Sequence, residues 1–264
     1  EFKKRRHNSH KGIYGTALLF CGSYGYAGAA VLAARAALRS GAGIAKAVLS
    51  ESIYAPFTAA VPEAVCVPIK QNGTAELNIK ALLNKADAVL AGSGSGNNGE
   101  TEYLVKELLK TAEIPIVIDA DGINVIANSI DIIKNTKAPV ILTPHPGEMA
   151  RLLGVTAKEV EADRVSIARG FAKEYGCILV LKGANTIIAL PNGEITFNLT
   201  GNPGMACGGS GDVLSGITVS LLAQGFSPES AAKYAVYLHG EAGDKAALRR
   251  GERAMLPTDI IEEL

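Results

Sequence analysis

The sequence predicts an α/β protein, a three-layer α/β/α sandwich whose central, mostly parallel sheet ends in an antiparallel edge. Short apolar or β-branched runs alternate with helix-period segments along almost the whole chain, the pattern of strands covered by helices on both faces. Asn192-Gly193 separates the last two strand-like runs, and this dipeptide favours a tight hairpin, so the sheet is expected to finish with antiparallel pairing. The 264 residues are 48% hydrophobic and 20% charged with a net charge of zero, enough for one sizeable core in one large domain or two small ones.

Taken in order, strands are expected at 16–21, 44–49, 64–69 and 88–91, each a run of mainly Ala, Val, Leu, Ile and Phe. Further strands follow at 114–118, 140–143, 178–182, 186–189 and 195–198, the last two flanking the Asn-Gly turn. Helical patterns fill the gaps at 27–39, 100–110, 149–153, 157–174, 211–223 and 228–248. In 211–223 the residues Val213, Leu214, Ile217 and Leu221 recur at helical spacing, which predicts one buried face and a helix start near Ser210. Ligands in such sheets sit beyond the carboxyl ends of the strands, so the loops that follow strands carry the chemistry.

Composition narrows the class. The 29 glycines, with 5% aromatics and no Trp, point to tight turns and close backbone approaches. Cys21, Cys66, Cys177 and Cys207 are scattered, with neither a C-x-x-C pair nor a zinc-ligand spacing, which argues against a disulfide framework and for a reducing cytoplasm. The apolar stretch 27–49 is interrupted by Arg35, Arg39 and Lys46, so no membrane span is expected, and no secretory leader pattern is visible. Residues 1–11 carry Lys3, Lys4, Arg5, Arg6 and Lys11 against Glu1 and start without Met. They read as a solvated tail or linker rather than a nucleic-acid arm, with the domain proper at 12–264.

Asn202-Pro203-Gly204-Met205-Ala206-Cys207-Gly208-Gly209-Ser210-Gly211-Asp212 is the strongest site segment. Glycines ahead of a helix expose successive N–H groups, and the helix dipole adds to them, forming an anion hole for phosphate. Asp212 in the first turn either complements that dipole or serves as a base, and a carboxylate beside phosphate favours the base. Gly94-Ser95-Gly96-Asn97-Asn98-Gly99 literally matches G-x-G-x-x-G, with Asp119 and Asp121 downstream. No Walker lysine motif occurs, which disfavours a P-loop NTPase.

Asp119-Ala120-Asp121-Gly122 and Thr143-Pro144-His145-Pro146-Gly147-Glu148 end adjacent strands and open on the same sheet edge. Asp119 or Asp121 either caps the helix before Ile123 or joins the site. His145 either makes a structural hydrogen bond or meets a ligand, and Glu148 either starts a helix or orients magnesium through water. Lys182-Gly183-Ala184-Asn185-Thr186 suits one end of a nucleotide, or is a plain turn with a surface lysine. The small residues of Gly22-Ser23-Tyr24-Gly25-Tyr26-Ala27-Gly28-Ala29-Ala30 either admit a cofactor-sized ligand or let a helix pack close to the sheet.

In this order, the Gly22 to Ala30 stretch, Asp119 to Gly122, Thr143 to Glu148, Lys182 to Thr186 and Gly208 to Asp212 resemble the NAD(P)H-hydrate dehydratase family of the ribokinase-like superfamily. The resemblance runs from about Lys11 to the C-terminus. It implies dehydration of the S form of hydrated NADH or NADPH at the expense of ADP or ATP, with Mg2+. It implies Asp212 as catalytic base, with Lys182, Gly183, Ala184, Asn185, Thr186, Gly209 and Gly211 on the adenine nucleotide. It places Ala29, Gly96, His145 and Asp212 on the hydrated cofactor. It further implies an epimerase companion, as a preceding domain or a separate protein, and a homo-oligomer, a tetramer being favoured; the small-residue helix at 29–37 is the expected packing face. No nucleic-acid or membrane partner is expected. The rival readings are a ribokinase-like kinase of a small alcohol, a nicotinamide-dependent oxidoreductase built on Gly94 to Gly99, and a nucleotide sensor without turnover. The oxidoreductase fingerprint belongs in an opening strand-helix unit, whereas here it follows the fourth strand.

Overall fold

Strands β1 (Thr16–Phe20), β2 (Ile44–Ser50), β3 (Val65–Ile69), β4 (Ala88–Ala91), β5 (Ile116–Ile118), β6 (Val140–Leu142), β7 (Ile178–Leu181), β8 (Ile187–Ala189) and β9 (Ile195–Phe197) form one sheet in a computed structural model that describes residues 5, 7–70 and 73–264. Their order is β3-β2-β1-β4-β5-β6-β7-β8-β9, and every neighbouring pair from β3 to β7 is parallel. The β7/β8 and β8/β9 pairs are antiparallel, and Gly193 at φ 88° turns the last hairpin. All nine expected strands are present with ends within two residues of expectation. Strand β5 starts late because Pro115 has no N–H to donate to the ladder, although its carbonyl still accepts from Val89.

Helices α1 (Ala27–Arg39), α2 (Tyr54–Ala60), α3 (Ile79–Leu83), α4 (Gly99–Thr111), α5 (Asp121–Ile126), α6 (Pro146–Leu153), α7 (Ala157–Ala162), α8 (Arg164–Tyr175), α9 (Ser210–Ala223), α10 (Pro228–Arg250) and α11 (Pro257–Glu262) cover both faces. Because strand side chains alternate, Ala17, Leu19, Ala45, Ala47 and Leu90 meet α1, α9, α10 and α11, while Leu18, Phe20, Val89, Ile116 and Leu142 meet α4 to α8. The alanine-rich face lets helices approach closely. A Cβ on Gly216 of α9 would lie 2.3 Å from the Ala33 carbonyl oxygen of α1, so the two backbones touch.

Three expectations change here. The small-residue helix was expected to offer 29–37 to a partner copy, but Ala30, Ala33, Ala34, Ala36 and Ala37 are buried within the chain itself. Helix α9 is buried nearly all round rather than on one face, because the sheet, α1 and α10 enclose it. The single helix expected at 157–174 breaks at Asp163 (φ −146°, ψ 60°), whose carboxylate caps α8 by accepting from the Ser166 N–H at 3.1 Å.

Residues 1–4 and 6 of the expected basic tail lie outside the described residues. Arg5 donates to the Gly41 carbonyl at 2.7 Å and lies over the Tyr14 ring at 4.0 Å. Among the described residues no helix is long and apolar enough to cross a membrane.

The chain winds from β1 out to β3, then returns to place β4 against the other side of β1. At such a reversal the connections after the two strands pass to opposite faces of the sheet, and folds of this class bind ligands beyond those strand ends. The two loops are stitched together by Gly22 N–H to Ser93 O at 2.8 Å, Gly92 N–H to Phe20 O at 3.1 Å and Ser23 Oγ to Gly94 O at 2.9 Å.

Candidate active site

The turn after β5 sets the centre of the site. Gly92 and Gly122 let two backbones meet, since a Cβ on Gly92 would lie 2.1 Å from the Asp119 carbonyl oxygen. Ala120 takes φ 49° and ψ −116°, a conformation costly for a residue with a Cβ, and Gly122 N–H closes the turn on Asp119 O at 2.9 Å. The Asp119 carboxylate is thereby buried. It accepts from Lys182 Nζ at 2.9 Å, Thr143 Oγ1 at 2.8 Å, Ser215 Oγ at 2.8 Å and Ser93 Oγ at 3.4 Å. Burial opposes its charge, but the Lys182 ammonium and the hydroxyls outweigh burial and hold the group below the usual aspartate range.

Lys182 follows β7, and its ammonium also lies 3.8 Å from Glu148 Oε2. Burial works against the cation, yet the Asp119 and Glu148 carboxylates keep it protonated and raise its pKa. A Cβ on Gly211 would stand 3.4 Å from Lys182 Nζ and 4.0 Å from Asp119 Oδ2, so the pair lies against the first turn of α9.

Helix α9 opens at Gly209, whose φ of 99° and whose missing side chain, where a Cβ would meet Leu32 Cδ1 at 2.5 Å, both require glycine. Asp212 stands in the first turn. Burial, then the charge of Asp119, push its pKa up to about 7, with Lys182 and the Ser93 hydroxyl pulling the other way. A carboxylate poised there, next to N–H groups at a helix start, can take a proton near neutrality while an anion sits beside it. His239 of α10 contacts Ser210 Oγ through Nε2 at 3.2 Å, and burial lowers its pKa to about 4, so it is neutral.

Of the other expected residues, His145 is the N-cap of α6. Its Nδ1 accepts from the Gly147 and Glu148 N–H groups at 3.0 and 3.3 Å, and Glu148 Oε2 accepts from the His145 N–H at 2.8 Å. The proton of the neutral ring therefore sits on Nε2, which faces Glu148 Oε1 at 3.5 Å. Burial keeps the imidazole below its ordinary pKa. Asp121 accepts from the Gly96 N–H at 2.8 Å, and a Cβ on Gly94 would lie 2.6 Å from Ala29 Cβ, which sets Ala29, in the first turn of α1, against the loop after β4 that carries Gly96. Neither Asp119 nor Asp121 caps α5.

Gly183, Ala184 and Asn185 form an exposed turn at the β7 end, closed by Thr186 Oγ1 on the Gly183 carbonyl at 3.0 Å. Arg164 braces it from below, donating to the carbonyls of Ala184 at 2.7 Å and Leu181 at 3.1 Å. The kink at Asp163 is what starts α8 at Arg164.

Sequence reasoning left Asp119 between cap and site, gave Ser93 and Thr143 no role of their own within their loops, and passed over Ser215, Arg164 and the stretch His239 to Asp244. In that stretch Asp244 accepts from the Gly201 N–H and from Asn202 Nδ2, both at 2.9 Å. Gly240 and Gly243 let the loop of Thr200 and Met205 lie on α10. Two glycines inside a helix, each costing about 1 kcal/mol relative to Ala, were the readable signal of that close approach.

Among the described residues no cluster of three His, Cys, Asp or Glu side chains is placed to hold a metal ion. The Asp119 oxygens are filled by donors, and Glu148 is engaged with Lys182 and the α6 cap. The donor set does not fit a protein-held magnesium site.

A family model described as NAD(P)H-hydrate dehydratase matches residues 17–264. The chain belongs to the NAD(P)H-hydrate dehydratase family. Its fold is ribokinase-like. It is 42% identical over 270 residues to the bifunctional NAD(P)H-hydrate repair enzyme Nnr of Moorella thermoacetica, covering 100% of this chain and 51% of that protein. It is 40% identical over 248 residues to the ADP-dependent (S)-NAD(P)H-hydrate dehydratase of Neisseria meningitidis serogroup B, covering 92% and 81%. The crystal structure of the ADP/ATP-dependent NAD(P)H-hydrate dehydratase from Bacillus subtilis, co-crystallised with ATP/Mg2+, superposes with a TM-score of 0.86 at 32% identity, covering 99% of this chain and 91% of that one. The chain spans about half the length of several of the curated relatives it matches.

Proposed function

We propose that this domain restores NADH and NADPH from the S form of their hydrates, using ADP or ATP. One observation carries the reading furthest: Asp212, with its pKa near 7, stands at the glycine-rich start of α9 beside the Asp119–Lys182 pair. Hydroxide leaves poorly from the hydrated ring, so the hydroxyl is first phosphorylated. Asp212 takes the hydroxyl proton as its oxygen bonds to the terminal phosphorus, and the bridging P–O bond breaks to release AMP from ADP or ADP from ATP. The N–H groups at Gly209 to Gly211 and the Lys182 ammonium stabilise the charge on the transferring group. The ring nitrogen then expels phosphate, and loss of a neighbouring ring proton regenerates the dihydropyridine.

In this assignment Lys182 to Thr186, Gly209 and Gly211 hold the adenine nucleotide, while Ala29, Gly96, His145 and Asp212 hold the hydrate. His145 presents its ring while its Nδ1 keeps α6 capped. The reading includes an epimerase companion, a cytoplasmic setting and a homo-oligomer, with a tetramer favoured, which sedimentation would test.

The deciding experiment incubates the protein with hydrated NADH, magnesium and either ADP or ATP and follows NADH absorbance at completion. Recovery with release of inorganic phosphate supports the dehydratase. A phosphorylated product that persists would make the protein a kinase instead, and no turnover with either nucleotide would sink both readings.

A further inference from the structure

Helix α10 meets the glycine-rich loop before α9 along one stripe. His239, Gly240, Gly243 and Asp244 fall at helical spacings of i, i+1, i+4 and i+5, so one side of the helix carries all four. An added Cβ would strike Thr200 Oγ1 at Gly240 and Met205 Sδ at Gly243, so the loop rests directly on helical backbone. Asp244 grips the start of the loop by accepting from the Gly201 N–H and Asn202 Nδ2, and His239 grips its end at the hydroxyl of Ser210, the first residue of α9.

The grip passes inward from both ends. With Asn202 Nδ2 held by the carboxylate, Asn202 Oδ1 is turned to accept from the Gly204 N–H at 3.0 Å. At the other end Ser210 stands between Gly209 and Gly211, the two glycines assigned above to the nucleotide.

These two side chains are not what holds α10 in place. Buried Ala231, Ala232, Ala235, Val236, Ala242 and Ala246 pack the helix on the core. Among the described residues, the hydrogen bonds of the His239 and Asp244 side chains go to the loop and to its junction with α9. The imidazole is also neutral. Burial drives its pKa down to about 4, a hydrogen bond with the Ser210 backbone opposes that fall, and the Lys182 ammonium adds to it. His239 therefore holds Ser210 at neutral pH without setting a second cation in the field of Lys182.

A loop of this composition needs holding. Gly201, Gly204, Gly208 and Gly209 leave the free backbone many conformations, and ordering them only when phosphate arrives would offset part of the binding free energy. Backbone N–H groups stabilise a transferring phosphoryl group only when they are already aimed at it.

We infer that His239 and Asp244 are positioning residues for phosphoryl transfer, fixing the Gly201 to Ser210 loop from the two ends of one stripe on α10 before the nucleotide binds. This rests on the dehydratase reading for the reaction that it serves, and on geometry alone for the holding of the loop.

The test compares His239→Ala and Asp244→Ala with His239→Gln, whose terminal amide reaches the position of Nε2, and Asp244→Asn, which keeps one acceptor. In steady-state turnover of hydrated NADH with ADP or ATP, each Ala variant is expected to lower kcat by about ten- to a hundredfold, the scale of a misplaced anion-hole donor, with the KM for the hydrate nearly unchanged. The Gln and Asn variants should recover much of the loss. His239→Ala combined with Ser210→Ala should fall no further than either alone, because the histidine acts through that hydroxyl. In the nucleotide-free protein, amide hydrogen exchange should quicken across residues 201–210 in both Ala variants and stay at the wild-type rate in the sheet.

Unchanged kcat, a loss confined to the KM for the hydrate, no recovery in the Gln and Asn variants, or additive losses in the His239 and Ser210 pair would overturn the positioning role while leaving the dehydratase intact. Unaltered exchange at 201–210 would overturn the holding of the loop itself. Absence of wild-type turnover would remove the dehydratase reading and the role in its reaction, with the exchange rates still deciding whether α10 holds the loop.

Discussion

The ammonium of Lys182 lies 2.9 Å from Oδ1 of Asp119 and 3.8 Å from Oε2 of Glu148, tying together the ends of three adjacent parallel strands. This pair governs the residue beside it. Asp119 raises the pKa of Asp212 and Lys182 lowers it, so the basicity of Asp212 is a balance between two buried charges. Asp119→Asn removes the larger electrostatic push and frees Lys182 to act on Asp212 alone. The acid limb of the pH–rate profile should move down by about one pH unit, because a negative neighbour has been neutralised. An unmoved limb would separate Asp119 from the tuning of Asp212.

Lys182→Met leaves Asp119 and Glu148 buried without their cation. Breaking a buried pair from one side costs roughly 3–5 kcal/mol. Thermal unfolding should show this loss, and the double variant Lys182→Met with Asp119→Leu should recover part of it.

Wild-type kcat/KM should rise about tenfold per pH unit up to about pH 7 and level off above it, as Asp212 with its pKa of about 7 loses its proton. A profile flat from about pH 5 to about pH 8 would remove Asp212 from the base role.

The same carboxyl should tax stability. In the fold Asp212 keeps its proton up to about pH 7, whereas in the unfolded chain it ionises in the ordinary aspartate range. Its contribution thus favours the fold most at acid pH and is lost as pH climbs through about 7. Asp212→Asn, inactive as a catalyst, should therefore be the more stable protein at about pH 8, by up to roughly 4 kcal/mol, with the gap narrowing towards about pH 4. Calorimetry at the two pH values checks both sign and trend.

Gly216→Ala should be destabilising although Ala is the better helix former, because its Cβ would sit 2.3 Å from the Ala33 carbonyl oxygen. Forcing α1 from α9 is expected to cost about 1–3 kcal/mol, or roughly 2–4 °C in Tm for each kcal/mol. A Tm equal to wild type would show that the two helices can part freely.

Much of the molecule could be read along the chain. The central strands announced themselves as apolar runs because a parallel sheet covered by helices buries both faces, and the glycine-rich run before α9 announced a helix start near an anion. The Asp163 break was hidden because the apolar period continues across it, and only the capping carboxylate ends one helix and starts the next. The role of Asp119 was hidden for another reason. An aspartate before a helix is an ordinary cap, and nothing local shows that Ala120 adopts a strained turn that aims it inward.

What the chain determines by itself is local: period, turn chemistry, and the placing of Asp212 in a first helical turn. These depend on neighbours within a few residues. The tertiary structure decided the electrostatics. Asp119, Lys182, Glu148 and Asp212 come from four separate elements, and the basicity of Asp212 depends on how deeply they are buried together. Coulombic interaction between buried groups follows distance through space and the loss of water, which only strand order and packing specify.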